Sequence, residues 1–153
     1  MQPMDTKIQQ VIKMFYYPMW FIKLDKSISC PCVQHDTKVT NPLCPVCLGT
    51  GHKIKLIRAK AARQATETMR MTGEGLGAER NVGDRIFTLD NLKLQEDDLI
   101  VDNDEVLVVQ HYLPGRTDMN QPVYYRTITT KRKMNTEMFL TAFHELLAKN
   151  GYT

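Results

Sequence analysis

Two close cysteine pairs, Cys30-Pro31-Cys32 and Cys44-Pro45-Val46-Cys47, fall within eighteen residues and account for every cysteine in the chain. Pairs separated by eleven residues can grip opposite sides of one tetrahedral Zn²⁺ at about 2.3 Å per sulfur. The second pair runs on as Cys47-Leu48-Gly49-Thr50-Gly51-His52. Its glycines let the backbone turn with φ > 0 and bring amide groups close to the sulfurs. The spacing therefore predicts a structural zinc knuckle with Cys30, Cys32, Cys44 and Cys47 as ligands. A Cys-x-Cys pair is tighter than the usual Cys-x₂-Cys, so His35 or His52 stands as a replacement for one sulfur.

Other uses of four thiols fit less well. Two disulfides suit a secreted protein, yet no charged-then-apolar leader precedes the cysteines. A Cys30–Cys32 bridge would close a very small, strained ring. Cys44-Pro-Val-Cys47 has redox spacing, but redox pairs open a helix, and Gly49 and Gly51 spoil one. Four unreactive free thiols are the remaining alternative. A closed four-sulfur site keeps no position for water or substrate, which argues against catalysis.

A chain of 153 residues suits one domain with an ordinary core and the knuckle as an appended lobe. Hydrophobic content of 42% and charged content of 24% are those of a soluble globular protein. The longest apolar stretch, Phe15 to Leu24, is broken by Pro18 and Lys23, so no membrane span is expected. A net charge of +3 does not diagnose nucleic-acid binding.

Along the chain, Ile8, Val11, Ile12 and Phe15 recur at helical spacing, and Asp5 is a candidate N-cap, predicting a helix over 5–15. The aromatic run that follows, through Trp20 and Phe21, reads as extended after Pro18. Ile54, Leu56 and Ile57 restart a strand, with helix a competitor over Ala59–Met71 on propensity. Thr72 to Ala78 carries three glycines and reads as a loop, not a phosphate cradle. Strands are expected at Arg85–Leu89, at Leu99–Val101 and Val106–Val109 joined by a tight Asp102-Asn103-Asp104 turn, and at Val123–Thr130. Met138, Phe139, Ala142, Phe143, Leu146 and Leu147 form one helical stripe, capped by Asn135 or Thr136 and ended by Asn150-Gly151. His144 beside it reads as a packed core imidazole.

The fold class is mainly β with flanking helices (α+β): a small antiparallel barrel or sandwich, an inserted zinc knuckle and a C-terminal amphipathic helix. The divisions are 1–27 for the N-terminal helix and extended segment, 28–52 for the knuckle, 53–134 for the barrel and 135–153 for the last helix. The carboxylates Glu96, Asp97, Asp98, Asp102, Asp104 and Glu105 read as solvated turns, because their spacing is not that of a calcium loop. Cations gather at Lys53, Lys55, Arg58, Lys60 and Arg63, and at Arg126, Lys131, Arg132 and Lys133. A solvated face is the first reading of both groups, with non-specific contact to DNA phosphates the alternative. No nucleophile–base pair or nucleotide loop emerges, and the chain does not read as an enzyme.

The string Cys30-Pro-Cys32, then Cys44-Pro-Val-Cys47-Leu-Gly-Thr-Gly51, resembles a cysteine lobe in structural proteins of tailed bacteriophages. Asp97-Asp98-Leu99-Ile100-Val101-Asp102, followed by Val106–Val109 and Tyr124-Tyr125, is similar to the small β-barrel of head-completion and head–tail connector (neck) proteins. The resemblance covers roughly 28–52 and 82–132. It implies a virion component, made in the host cytoplasm, that multiplies into a homo-oligomeric ring. Neighbouring portal, adaptor or tail proteins would be its partners, with DNA passing through the ring, and no membrane or small-molecule substrate. The knuckle beside the Lys53–Arg63 cations supports a second reading, a zinc-ribbon nucleic-acid-binding protein. A third, the zinc region of DnaJ-type co-chaperones, repeats the Cys-x-x-Cys-x-Gly-x-Gly string four times, where this chain has it once.

Overall fold

The computed structural model describes residues 4–33, 40–64, 84–115, 117–118, 121–132 and 136–151. Its elements are α1 (Met4–Met14), β1 (Tyr17–Ser29), β2 (His52–Gln64), β3 (Arg85–Thr88), β4 (Leu99–Asp102), β5 (Glu105–Pro114), β6 (Thr117–Asp118), β7 (Gln121–Pro122), β8 (Tyr125–Lys131) and α2 (Thr136–Lys149). Six strands close an antiparallel barrel in the order β1-β2-β3-β8-β5-β4, while β6 and β7 pair as a separate two-stranded ribbon. The mainly-β architecture with two flanking helices agrees with the sequence reading, and of the two forms it allowed, barrel or sandwich, the barrel forms.

The aromatic segment after α1 is itself a barrel strand and starts before Pro18. That proline lies outside Trp20–Ile22, the residues of β1 that pair with β4, so its missing N–H falls where the strand has one neighbour. Helix does not win at Ala59–Gln64, because β1 and β3 take up the backbone of β2 on either side. The rest of Ala59–Met71 and the glycine loop Thr72–Ala78 lie outside the described residues. The hairpin between β4 and β5 forms as expected, with Asp102 opposite Glu105 and Asn103 at a φ of 53°.

Strand alternation sorts the apolar residues into two cores. Met19, Phe21, Ala61, Ile86, Ile100, Leu107 and Val109 point inward and fill the barrel, and Leu94 from the loop before β4 joins them. The neighbouring positions Ile22, Leu99, Val101 and Val106 point outward and meet Phe139, Ala142 and Phe143 of α2. Phe139 and Phe143 stack at 6.3 Å between centroids, and Trp20 meets the Phe143 ring edge-on at 6.0 Å. The helix thus buries its stripe against the barrel of its own chain. His144 is exposed rather than packed in the core, its ring tilted against Phe143. Of the two cap candidates, Asn135 lies outside the described residues, and the Thr136 hydroxyl donates to the Arg132 carbonyl at 2.9 Å. Gly151, at a φ of 78°, ends the helix as expected.

Helix α1 lies over another outer face, with the Gln9 amide donating to the Val123 carbonyl at 3.3 Å. Ile12 is buried there, but Val11, Met14 and Phe15 remain 53%, 77% and 64% exposed, so this stripe is covered on one side alone.

Two sequence assignments of charge need correction. Asp98 and Asp102 are buried, not solvated. The Asp98 carboxylate accepts the backbone N–H groups of Leu24 at 2.9 Å and Gln95 at 2.8 Å, fastening β1 to the loop ahead of β4. Arg63 is no surface cation either. It donates through Nε to Asp84 at 2.8 Å, through Nη1 to Asp102 at 2.7 Å and through Nη2 to Glu105 at 2.8 Å. Asp102 also accepts from the Tyr17 hydroxyl at 2.7 Å, and burial together with that bond pushes the phenol up to about 12. The remaining cations split between faces, because the unbroken register of β2 sets Lys53 and Lys55 on one side and Arg58 and Lys60 on the other. Arg58 sits over the Trp20 ring at 5.4 Å, Arg132 over Phe139 at 4.8 Å, and Lys131 pairs with Glu105 at 3.4 Å. Lys133 lies outside the described residues.

Candidate metal centre

Beyond Ile22, β1 leaves β4 behind and runs with β2 as a two-stranded arm. Its pairing slips between Asp25 and Ser29, where Ser29 comes opposite His52. The cysteine lobe grows from the tip of this arm. The Cys30 N–H donates to the Gly51 carbonyl at 2.9 Å, clasping the two ends of the lobe. Turns then aim each pair inward: Val33 N–H to the Cys30 carbonyl at 3.0 Å for the first, Leu48 N–H to the Cys44 carbonyl at 2.9 Å for the second. Asn41 opens the second pair, its side chain accepting the Leu43 N–H at 3.1 Å across Pro42.

These turns bring all four thiols together, with every Sγ within 4.8 Å of the others. Cys30 and Cys44 are 3.8 Å apart, Cys32 and Cys47 3.4 Å. A tetrahedron of sulfurs about 2.3 Å from one ion has edges of roughly 3.8 Å. The two contacts join one pair to the other, and at those separations no disulfide links them; all four cysteines are free. His52 stands outside this group, and His35 lies outside the described residues.

The surroundings pull the thiols in opposite directions. Burial pushes the Cys44 thiol up, yet the backbone N–H groups of Cys47 and Val46 and the neighbouring thiols outweigh it and bring it down to about 7. Burial pushes Cys47 up to about 12, partly opposed by the Gly51 and Gly49 amides. Burial likewise raises Cys30. Amide donors placed on sulfur are the outer support a tetrathiolate metal site uses. Cys30, Cys44 and Cys47 are buried and Cys32 is half-buried, so the set fits a closed structural Zn²⁺. Bound there, the ion would supply a fourfold cross-link between segments that share few apolar contacts.

Gly49 and Gly51 have φ of 80° and 79°, the left-handed turns the sequence called for. A Cβ on Gly51 would stand 2.7 Å from Thr40 Cγ2. Gly51→Ala therefore combines a disfavoured backbone with a clash and is expected to cost about 2 kcal/mol. Urea unfolding of the metal-loaded variant checks this; a loss below about 0.5 kcal/mol would show that the loop yields freely.

Sequence reasoning missed Leu48. It adopts a φ of 55°, is fully buried, and joins the outer core with Phe139 and Phe143. The cysteine lobe is therefore pinned beneath α2 by one side chain from between a ligand and a glycine. The available signal was a lone large apolar residue inside Cys-Leu-Gly, where a solvated loop has no use for one.

Among the described residues, no helix is long and apolar enough to cross a membrane. The chain matches no protein-family model, and no curated protein aligns with it significantly.

Proposed function

We propose that the chain is a structural subunit of a tailed-phage virion, assembling as a ring in the head–tail connector region, with Zn²⁺ held by Cys30, Cys32, Cys44 and Cys47. The observation that supports this most is the four-thiol site itself, closed and mounted on a two-stranded arm of a closed barrel. Such a site stiffens a projecting lobe and offers no coordination position to a substrate. A stiff lobe at one end of the arm suits contact between neighbouring subunits. The resemblance of the cysteine string and the β4–β5 pattern to neck proteins supplies the rest of the argument. The exposed Val11, Met14 and Phe15 add an apolar ridge that a neighbouring subunit can cover.

Mass measurement of the purified chain and of native particles tests the proposal, with electron microscopy reading the symmetry. A closed ring, or the chain present at fixed copy number in virions, is the expected result. A strictly monomeric protein absent from any particle overturns it and leaves the zinc-ribbon nucleic-acid reading.

A further inference from the structure

The strand register places Lys23 of β1 directly opposite Lys55 of β2, with Asp25 opposite Lys53 in the next position but one. Directly opposed like charges destabilise a strand pair. Strand alternation sets Lys23, Lys53 and Lys55 on one face of the arm, away from Leu24, Ile54 and Leu56, which pack into the outer core. The three lysines and Lys26 line an open groove of about 560 Å³ together with Asp25, Ser27 and Gln95, and Leu24 and Ile54 also border it. Both nearby carboxylates have partners. Asp97 pairs with Lys26 at 3.1 Å, and Asp25 accepts from the Ser27 N–H at 3.1 Å, the Lys53 ammonium opposite it adding a weaker pull on the same carboxyl. Among the described residues, Lys23, Lys53 and Lys55 have no carboxylate within ion-pairing distance.

We propose that this face of the arm binds the phosphodiester backbone of duplex DNA, an inference that deepens the ring reading by naming the surface that would meet DNA. The ligand class follows from the groove's form. Lys53 and Lys55 recur about 7 Å apart along the strand, a ladder of point charges suited to a polymeric anion. Lysine ammoniums without an arginine fork give charge contact without base discrimination. A two-stranded ribbon is also one of the shapes that enters a DNA groove.

The test uses the zinc-loaded full chain and fluorescence anisotropy with a random-sequence duplex of about 20 base pairs, titrated at several salt concentrations. Each phosphate contact adds about 0.9 to the slope of log K against log salt. The double variant Lys23→Gln/Lys55→Gln is expected to lower that slope by about 1.8 and to weaken binding at least tenfold near 100 mM salt. Its thermal midpoint should stay level or rise, since the substitution relieves a like-charge pair; a purely structural role predicts a fall. Lys7→Gln/Lys13→Gln, on α1, is expected to bind as the wild type does. No duplex binding at 50 mM salt, equal loss in both double variants, or binding to vesicles of anionic phospholipid in preference to DNA would overturn the proposal. Subunit mass, measured on the same samples, separates the two ideas: a ring without DNA binding sinks this inference alone, and a DNA-binding monomer sinks the ring alone.

Discussion

Cys47→Ser is expected to release the metal and to lower stability by at least about 4 kcal/mol, the largest effect of any single substitution outside the barrel. Cys47 is fully buried and faces Cys32 across the site at 3.4 Å. A hydroxyl in its place cannot supply the fourth thiolate that a closed tetrahedral site needs. The loss extends past the lobe. Leu48 follows directly and packs with Phe139 and Phe143, so a lobe that loses its cross-link withdraws a buried leucine from beneath α2. Elemental analysis of freshly purified protein should find one zinc per wild-type chain and far less in the variant. Chelation of the wild type should reproduce the variant's melting temperature, and the variant should be indifferent to chelator. Cobalt substitution gives a second readout, because thiolate-to-cobalt charge-transfer bands report sulfur ligation. Wild-type protein without stoichiometric metal, or a variant that keeps a full equivalent, would sink the metal centre.

The cysteine site was legible because its determinants are local. Cysteine spacing and the two left-handed glycines act within a few residues of the sulfurs; the four thiols cluster and both glycines take positive φ. The β4–β5 hairpin was legible for the same reason, since a short Asn-Asp turn between apolar strands needs no distant partner. Leu48 was not, because its burial depends on Phe139 and Phe143, some ninety residues further along the chain. Helix propensity over Ala59–Gln64 was equally local, and there the tertiary pairing with β1 and β3 overrode it.

Charge was read least well, and for a physical reason. Composition places Lys53, Lys55, Arg58, Lys60 and Arg63 in one basic run, while strand parity divides them and closure of the barrel recruits the last. Asp84 precedes β3 while Asp102 and Glu105 face each other across the β4–β5 turn, and both places are far along the chain from Arg63, so no window of sequence shows that they converge on its guanidinium. The same closure leaves Lys23 and Lys55 opposed. The solvated-face reading thus fails for the arginine at one end of β2, which carboxylates surround, while Lys53 and Lys55 at the other end are exposed.

Arg63→Met is accordingly expected to cost about 3–4 kcal/mol at pH 7, although the methionine nearly matches the arginine stem in length. The Arg63 side chain is 13% exposed, and those of Asp84 and Asp102 are 10% and 6% exposed. Removing the guanidinium leaves carboxylates facing one another with little solvent to screen them. Hydrogen bonding from Arg63 holds the Glu105 carboxyl below its ordinary value of 4.5. A depressed carboxyl contributes stability above that ordinary value and loses it as pH falls through the folded value. The gap between wild type and Arg63→Met should therefore narrow as pH drops from 7 to below about 4.5. Arg63→Lys keeps the charge without the fork and should fall between them, since one ammonium cannot reach three carboxylates at once. Pairing Arg63→Met with Asp102→Asn should recover part of the loss by removing a stranded charge. Urea unfolding of the four proteins at both pH values decides the matter. A loss under about 1 kcal/mol at pH 7 for Arg63→Met, with no dependence on pH, would mean that the barrel end tolerates its carboxylates unpaired and that Arg63 is one more solvated cation after all.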